Sequence, residues 1–197
     1  MDKKTLERQI NFVLEIDKLK AITRNTLLTD RSRLENAAEH SWHVALAALV
    51  LFDSAPTEGM DLPRILKMLL VHDLVEIDAG DLLCYHSDQF LTQKEREKEA
   101  AERIFGLLTG EQGRTLHQLW QEFEAMETPE SRFANAVDRL QPLLQAIRTE
   151  GETWRRHGIR KDQVVRRVQP IRTALPHLWG DVLDMIDKAA EKGYLLP

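Results

Sequence analysis

The chain has 197 residues, with 27 Lys and Arg against 32 Asp and Glu, for a net charge of −5. That balance gives no electrostatic footprint for a nucleic-acid polymer, and no basic block stands out. The one cysteine, Cys84, excludes an intramolecular disulfide framework and a Cys-rich zinc site, and the longest apolar run, Val44–Phe52, is too short to span a bilayer. A hydrophobic share of 43% with 30% charged residues suits one soluble domain over residues 1–197 with a substantial core. The start, Met-Asp-Lys-Lys-Thr-Leu-Glu-Arg, is charged and leads into an amphipathic segment rather than a signal peptide, so a cytoplasmic protein is expected.

Apolar periodicity is helical along the whole chain, and no convincing alternating strand is found. Residues 4–21 put Leu6, Ile10, Phe12, Val13, Leu14, Ile16 and Leu19 mostly on one side of a helix. Thr23–Glu35 breaks that pattern and reads as a polar loop carrying Arg24, Arg31 and Arg33. Asn36 with Glu39 three residues on has the form of a capping box, opening a helix to about Asp53 that ends in Ser54–Gly59. Asp61 and Pro63 start the next helix, which stops near Gly80. Residues 81–91 read as a loop with Cys84, Tyr85 and His86, and Thr92 with Glu95 as a capping box for Glu95–Leu107. Helices over Thr109–Glu127 and Glu130–Arg148 follow, the second announced by Thr128 and Pro129. Gly151–Arg160 reads as a loop with Trp154 and His157, and Lys161–Lys192 as helix interrupted at Pro170 and Pro176. The expected architecture is a single all-α helical bundle.

Chemistry concentrates in two places. His72 and Asp73 lie inside Ile65–Ile77, a run apolar on nearly every face, where an unpaired imidazole or carboxylate costs on the order of a few kcal/mol or more. Ion pairing, a hydrogen-bond network or a metal removes that cost. Glu76 shares a helix edge with His72 and Asp73, and Asp78 and Asp81 follow at the helix end, where carboxylates oppose the macrodipole unless a cation or arginine holds them. Upstream, Glu39, His40 and His43 open the apolar stretch from Val44. The two histidines, three apart, can face the same way, although polar packing at a helix start explains them as well. Two buried helices that each carry histidine suggest a shared metal site. Trp42 and Trp154 read as packing residues, a Trp154–His157 loop as a cover for the pocket only by a less direct argument, and His86 as a surface residue. His117 and His177 have no functional context. On Glu130–Arg148 the stripe Leu140, Leu144 and Ile147 leaves Asp138 projecting outward, so periodicity makes it a surface residue.

Three blocks in order, Arg33-Leu-Glu-Asn-Ala-Ala-Glu-His-Ser-Trp, Val71-His-Asp-Leu-Val-Glu-Ile-Asp-Ala-Gly-Asp81 and Asn135-Ala-Val-Asp-Arg-Leu140, resemble the HD-domain metal-dependent phosphohydrolases. The likeness runs through most of the chain and is to the branch of bacterial 5′-deoxynucleotidases and human HD domain-containing protein 2. It implies an HD-type bundle with metal ligands at His40, His72, Asp73 and Asp138, and with Glu76 and Asp81 acting around the attacking water. His43 matches no ligand position and is a candidate for supporting one. Pro142 offers a way to reorient the helix and bring Asp138 inward. Bacterial 5′-deoxynucleotidases carry an Arg-Trp pair that helps choose the sugar. Here the stretch reads Thr23-Arg-Asn-Thr-Leu-Leu28, without a tryptophan, and Arg24 is the arginine assigned to the substrate phosphate.

Two imidazoles and two carboxylates suit one divalent transition ion, with Mn, Co or Fe favoured and Zn or Ni as alternatives. The function implied is metal-dependent removal of phosphate from a nucleoside 5′-monophosphate or similar small phosphomonoester by activated water. A phosphodiesterase or nucleoside triphosphate hydrolase of the same fold is the enzymatic alternative. A metal- or nucleotide-binding regulatory module without turnover is the other. The partners expected are a small phosphate substrate and a second copy of the chain in a homodimer, with neither a nucleic-acid polymer nor a membrane.

Overall fold

The computed structural model describes residues 2–85 and 90–196, so His86 lies outside the described residues. Helix α1 (Lys3–Ile16) is capped by the Asp2 side chain, which accepts from the Thr5 N–H, and a 3-10 turn (Asp17–Ala21) leads into strand β1 (Thr23–Leu27). Strand β2 (Leu34–Asn36) returns antiparallel to β1, with Thr23 opposite Asn36 and Leu27 opposite Leu34 and a register shift between them. The segment expected as a loop is therefore a short hairpin. Its cause is turn chemistry rather than alternation: the Asp30 carboxylate accepts from the Ser32 N–H at 2.9 Å and the Ser32 hydroxyl at 2.7 Å, and the Leu28 N–H closes on the Arg33 carbonyl at 3.0 Å. A two-strand ribbon with mostly half-buried residues has no period-2 burial to read.

The expected Asn36–Glu39 capping box is present and opens α2 (Ala37–Phe52). Helix α3 (Leu62–Val71) starts at the Asp61 cap with Pro63 in its first turn, but tightens into a 3-10 turn over His72–Val75 before α4 (Glu76–Ala79). Gly80, at φ 74° and ψ 159°, a backbone conformation essentially reserved for glycine, then turns the chain away. Helices α5 (Phe90–Phe105) and α6 (Glu111–Ala125) follow. Thr128 and Ser131 cap α7 (Pro129–Arg148) reciprocally, with Pro129 at the first turn. The expected loop at Gly151–Arg160 instead contains the six-residue helix α8 (Glu152–His157). Gly151 before it sits at φ 68°, with Tyr194 so close that an added Cβ would lie 2.6 Å from the Tyr194 Cβ and carbonyl oxygen. Helices α9 (Lys161–Arg167), α10 (Gln169–Ala174) and α11 (Trp179–Glu191) are separated near Pro170 and Pro176 as expected.

The all-α reading holds apart from the one hairpin. Helix α7 is the axis of the bundle, packing against α2, α3, α6, α8, α10, α11 and β1. Phe105, Phe133, Ile65, Met68, Leu69, Ile171 and Ile186 are fully buried around it. Because neighbours surround α7, Phe133 through Asp138 are all buried, as are Leu140, Gln141 and Gln145. This overturns the surface assignment of Asp138. Pro142 is not the cause, since α7 runs unbroken through it. Trp154 is core, but Trp42, expected to pack, is 63% exposed. Of the α1 stripe only Phe12 is buried, leaving Leu6, Ile10, Val13 and Leu14 exposed. Among the described residues no helix is long and apolar enough to cross a membrane.

Candidate metal centre

Three elements converge on one point. Position 40 falls in the first turn of α2, the 3-10 turn after α3 carries His72 and Asp73, and α7 supplies Asp138. One ligand atom each from His40, His72 and Asp73 lie within 4.8 Å of one another. The Asp138 Oδ1 is 2.9 Å from the His40 Nε2 and 3.4 Å from the His72 Nε2. All four residues are buried.

Each imidazole is oriented from behind. The His72 Nδ1 donates to the Leu69 carbonyl at 2.9 Å, which leaves the Nε2 lone pair for the site. That buried Nε2 has no hydrogen-bond partner, although the Asp73 Oδ1 is 3.1 Å away. The His40 Nδ1 donates at 3.0 Å to the Gln141 Oε1, so its Nε2 likewise faces a carboxylate, that of Asp138. The Gln141 amide donates in turn to the Glu35 Oε1 at 2.9 Å and to the His43 Nδ1 at 3.0 Å, and the Gln145 amide donates to the same Glu35 oxygen at 2.9 Å. His43 thus stands one hydrogen bond behind the amide that holds His40.

Lone pair facing lone pair in a buried site is repulsive unless a proton or a cation stands between them. Burial and the Arg24 charge press His40 down, yet Asp138, Glu35 and Asp73 outweigh them and bring it up to about 9. Burial opposes ionisation of Asp138, but the two imidazoles hold it well below the usual carboxylate range. Protons therefore fill the gap between ring and carboxylate when nothing else does, and a divalent cation would replace them. The donor set of two nitrogens and two carboxylates fits such an ion.

Behind Asp73 lies a second charged layer. Arg24, from β1, has its Nη1 2.9 Å from the Asp73 Oδ2, 3.8 Å from the Glu76 Oε1 and 3.9 Å from the Asp81 Oδ1, and its Nε 3.7 Å from the Glu35 Oε2. This arginine answers the question of what holds acids at a helix C-terminus. Asp81 is anchored besides by the Asn25 backbone and side-chain N–H groups, both at 3.3 Å. Burial, then the charge of Asp73, raises Glu76 well above its ordinary value against the pull of Arg24. Its buried Oε2 has no hydrogen-bond partner. Asp78 faces elsewhere and pairs with Arg103.

The centre opens into a cavity of about 280 Å³. Leu27, Leu82, Leu83, Leu143 and Trp154 give it an apolar wall, and Arg139 and Arg167 line it near Asp138. Trp154 therefore belongs to the cavity, whereas His157 and His177 are exposed. His117 stacks on Phe105. Arg31 and Arg33 pair with Glu150 and Glu39 and line no part of the cavity.

Sequence reasoning missed Glu35, the two glutamines and the two lining arginines. A signal for the glutamines exists: Asn135, Asp138, Gln141 and Gln145 recur at helical spacing on α7. A solvent face would ordinarily carry Lys and Glu, so a stripe built from amides and one Asp marks a polar face turned inward.

A family model described as HD domain matches residues 16–179. The chain is 27% identical to human 5′-deoxynucleotidase HDDC2 over 142 residues, which is 72% of this chain and 68% of that one. The Dictyostelium discoideum protein of the same name is 30% identical over 154 residues, 74% of this chain and 79% of that one. A crystal structure of a predicted metal-dependent phosphohydrolase from Magnetospirillum magnetotacticum MS-1 superposes with a TM-score of 0.93 at 47% identity, covering 99% of this chain and 97% of that chain. The PH0347 protein of Pyrococcus horikoshii OT3 shares the fold, with a TM-score of 0.66 at 23% identity over 89% of this chain and 99% of that chain.

Proposed function

The chain belongs to the HD-domain family and is a metal-dependent phosphohydrolase, and from that premise we propose that it removes phosphate from nucleoside 5′-monophosphates. His40, His72, Asp73 and Asp138 hold one divalent transition ion in this reading. Such an ion, once bound by these residues, would lower the pKa of water toward neutrality and polarise a phosphoryl oxygen. Glu76 takes the proton of the attacking water: its Oε2 is buried without a hydrogen-bond partner among the described residues. Asp81, fixed by Asn25, orients water or a substrate hydroxyl. Arg24 offers a hydrogen bond to the substrate phosphate from beside Asp73.

The observation that carries this reading is the pair of imidazole Nε2 atoms aimed at carboxylate oxygens on the wall of a cavity with an apolar side. The 5′-deoxynucleotidase activity for which the HDDC2 relatives are named supports the substrate class. A homodimer through the exposed stripe of α1 belongs to the same reading.

The test is phosphate release from ribo- and deoxynucleoside 5′-monophosphates by chelated protein reloaded with Mn, Co or Zn. Release that needs metal and varies among nucleotides is expected. Pyrophosphate from triphosphates, or a monophosphate from a cyclic nucleotide, in place of inorganic phosphate would overturn the substrate class.

A further inference from the structure

Three arginines line the cavity, and their charges are in different states. Arg24 has four carboxylates within 4 Å, those of Asp73, Glu35, Glu76 and Asp81. Its buried Nε also lacks a hydrogen-bond partner, but its positive charge is answered by those carboxylates. Arg139 is the opposite case. Among the described residues no carboxylate comes within salt-bridge distance of it, and its buried Nε has no hydrogen-bond partner. Its Nη2 meets only the Met126 sulfur at 3.2 Å and the Asn135 Oδ1 at 3.3 Å, two neutral and weak acceptors. Among the described residues Arg167, on α9, has a single carboxylate within salt-bridge distance, the Asp138 Oδ2 at 3.9 Å, and that carboxylate already serves two imidazoles.

Two guanidinium groups that share a cavity wall, with one long contact to a shared carboxylate between them, are costly together, and an anion between them relieves the cost. Arginine keeps its proton in proteins, so both groups are cationic at neutral pH. Both also line an adjoining cavity, with Cys84, Tyr85, Gln163 and Arg166. Arg166 differs, since its Nη1 is held by the Asp162 Oδ2 at 2.6 Å.

We propose that Arg139 and Arg167 form the anion clamp of this site, gripping the phosphoryl oxygens of the substrate on the Asp138 side of the metal centre. The identity of the anion as a phosphomonoester rests on the function proposed above. The clamp itself rests on the two guanidinium groups, of which Arg139 faces neutral acceptors and Arg167 shares the Asp138 carboxylate at 3.9 Å. Arg24 then contributes a hydrogen bond near Asp73, while the charge that draws and holds the phosphate comes from the other pair. The fork of an arginine suits two oxygens of one phosphate.

The experiment is calorimetric titration of inorganic phosphate into manganese-loaded wild type, Arg139→Gln, Arg167→Gln and Arg166→Gln, with metal content and thermal melting recorded for each. Phosphate affinity should fall about tenfold or more in the first two variants and stay within about twofold in the third, at unchanged metal content. The Arg167 side chain is partly exposed and its ion pair with Asp138 is long, so its variant keeps the test open if Arg139→Gln melts early. Arg167→Lys should recover part of the affinity, because charge is kept while the fork is lost. Wild-type affinity in both glutamine variants overturns the clamp, as does an equal loss in Arg166→Gln, which would mark a general field effect. If wild type releases no phosphate from any nucleotide and the two variants still lose phosphate binding, the clamp stands and the monophosphate reading falls. If wild type hydrolyses nucleotides and both variants bind phosphate normally, the reading stands and the clamp falls.

Discussion

At the scale of single residues, each group at the centre is defined by what its far side touches. The Leu69 carbonyl fixes the His72 tautomer, and the Gln141 amide oxygen fixes that of His40. Removing a ligand and removing a proton carrier should therefore separate cleanly. His72→Ala is expected to abolish metal content and turnover together, measured by elemental analysis and phosphate release. Glu76→Gln should keep the metal and slow turnover by about 10²- to 10⁴-fold, the range supplied by positioned acid–base groups. Full turnover in Glu76→Gln would remove that residue from the mechanism. Gln141→Leu tests the layer behind. It strips the acceptor from the His40 Nδ1 and the donor from Glu35, and metal affinity should weaken by about 10- to 100-fold in competition with a chelator.

At the scale of elements, the helices are held at the angles the centre needs by polar contacts as much as by core. The Arg64 Nε donates to Glu122 at 2.8 Å, and the Thr128 hydroxyl donates to the same carboxylate at 2.6 Å, which ties α3 to α6 and to the cap of α7. Burial alone would raise Glu122, but the hydrogen bonds from Arg64 and Thr128 hold it below its usual value of 4.5. A carboxyl lowered in the folded state adds stability that is present above its unfolded pKa and is lost as pH falls through the folded one. The urea midpoint of wild type should thus exceed that of Glu122→Gln most at pH 7, with the gap closing as pH falls below about 4.5. A gap of constant size would show that packing, not ionisation, sets the contribution.

At the scale of the whole molecule, the centre joins segments far apart in sequence, Arg24 and Glu35 from the hairpin, His40 from α2, His72 to Asp81 around the α3 end, and Asp138 from α7. A cation that binds only this assembled set stabilises the folded state by mass action, roughly 2.7 kcal/mol at a hundredfold excess over its dissociation constant. Chelation should therefore lower the melting temperature of wild type and reloading should restore it, by calorimetry. The melting temperature of His72→Ala should not respond to either. A wild-type melt indifferent to metal would mean that the four residues do not hold an ion.

What the sequence determined by itself is local. Caps at Asn36, Asp61 and Thr128, breaks near Pro170 and Pro176 and the apolar helical period are written in neighbouring residues, because helices are short-range structures whose start and stop signals lie within a turn or two. The cost of an imidazole and a carboxylate in the apolar run around His72 is equally visible, since burial follows from composition there. Tertiary structure decided the rest. Asp138 faces inward only because α7 is surrounded, a fact about its neighbours and not about its own period. The β1–β2 hairpin depends on an Asx turn and a partner strand rather than on alternation. Arg24 belongs to the acidic layer, and Arg139 and Arg167 to the open cavity, because a charge is neutralised or left uncompensated by groups that the chain brings together only when it folds.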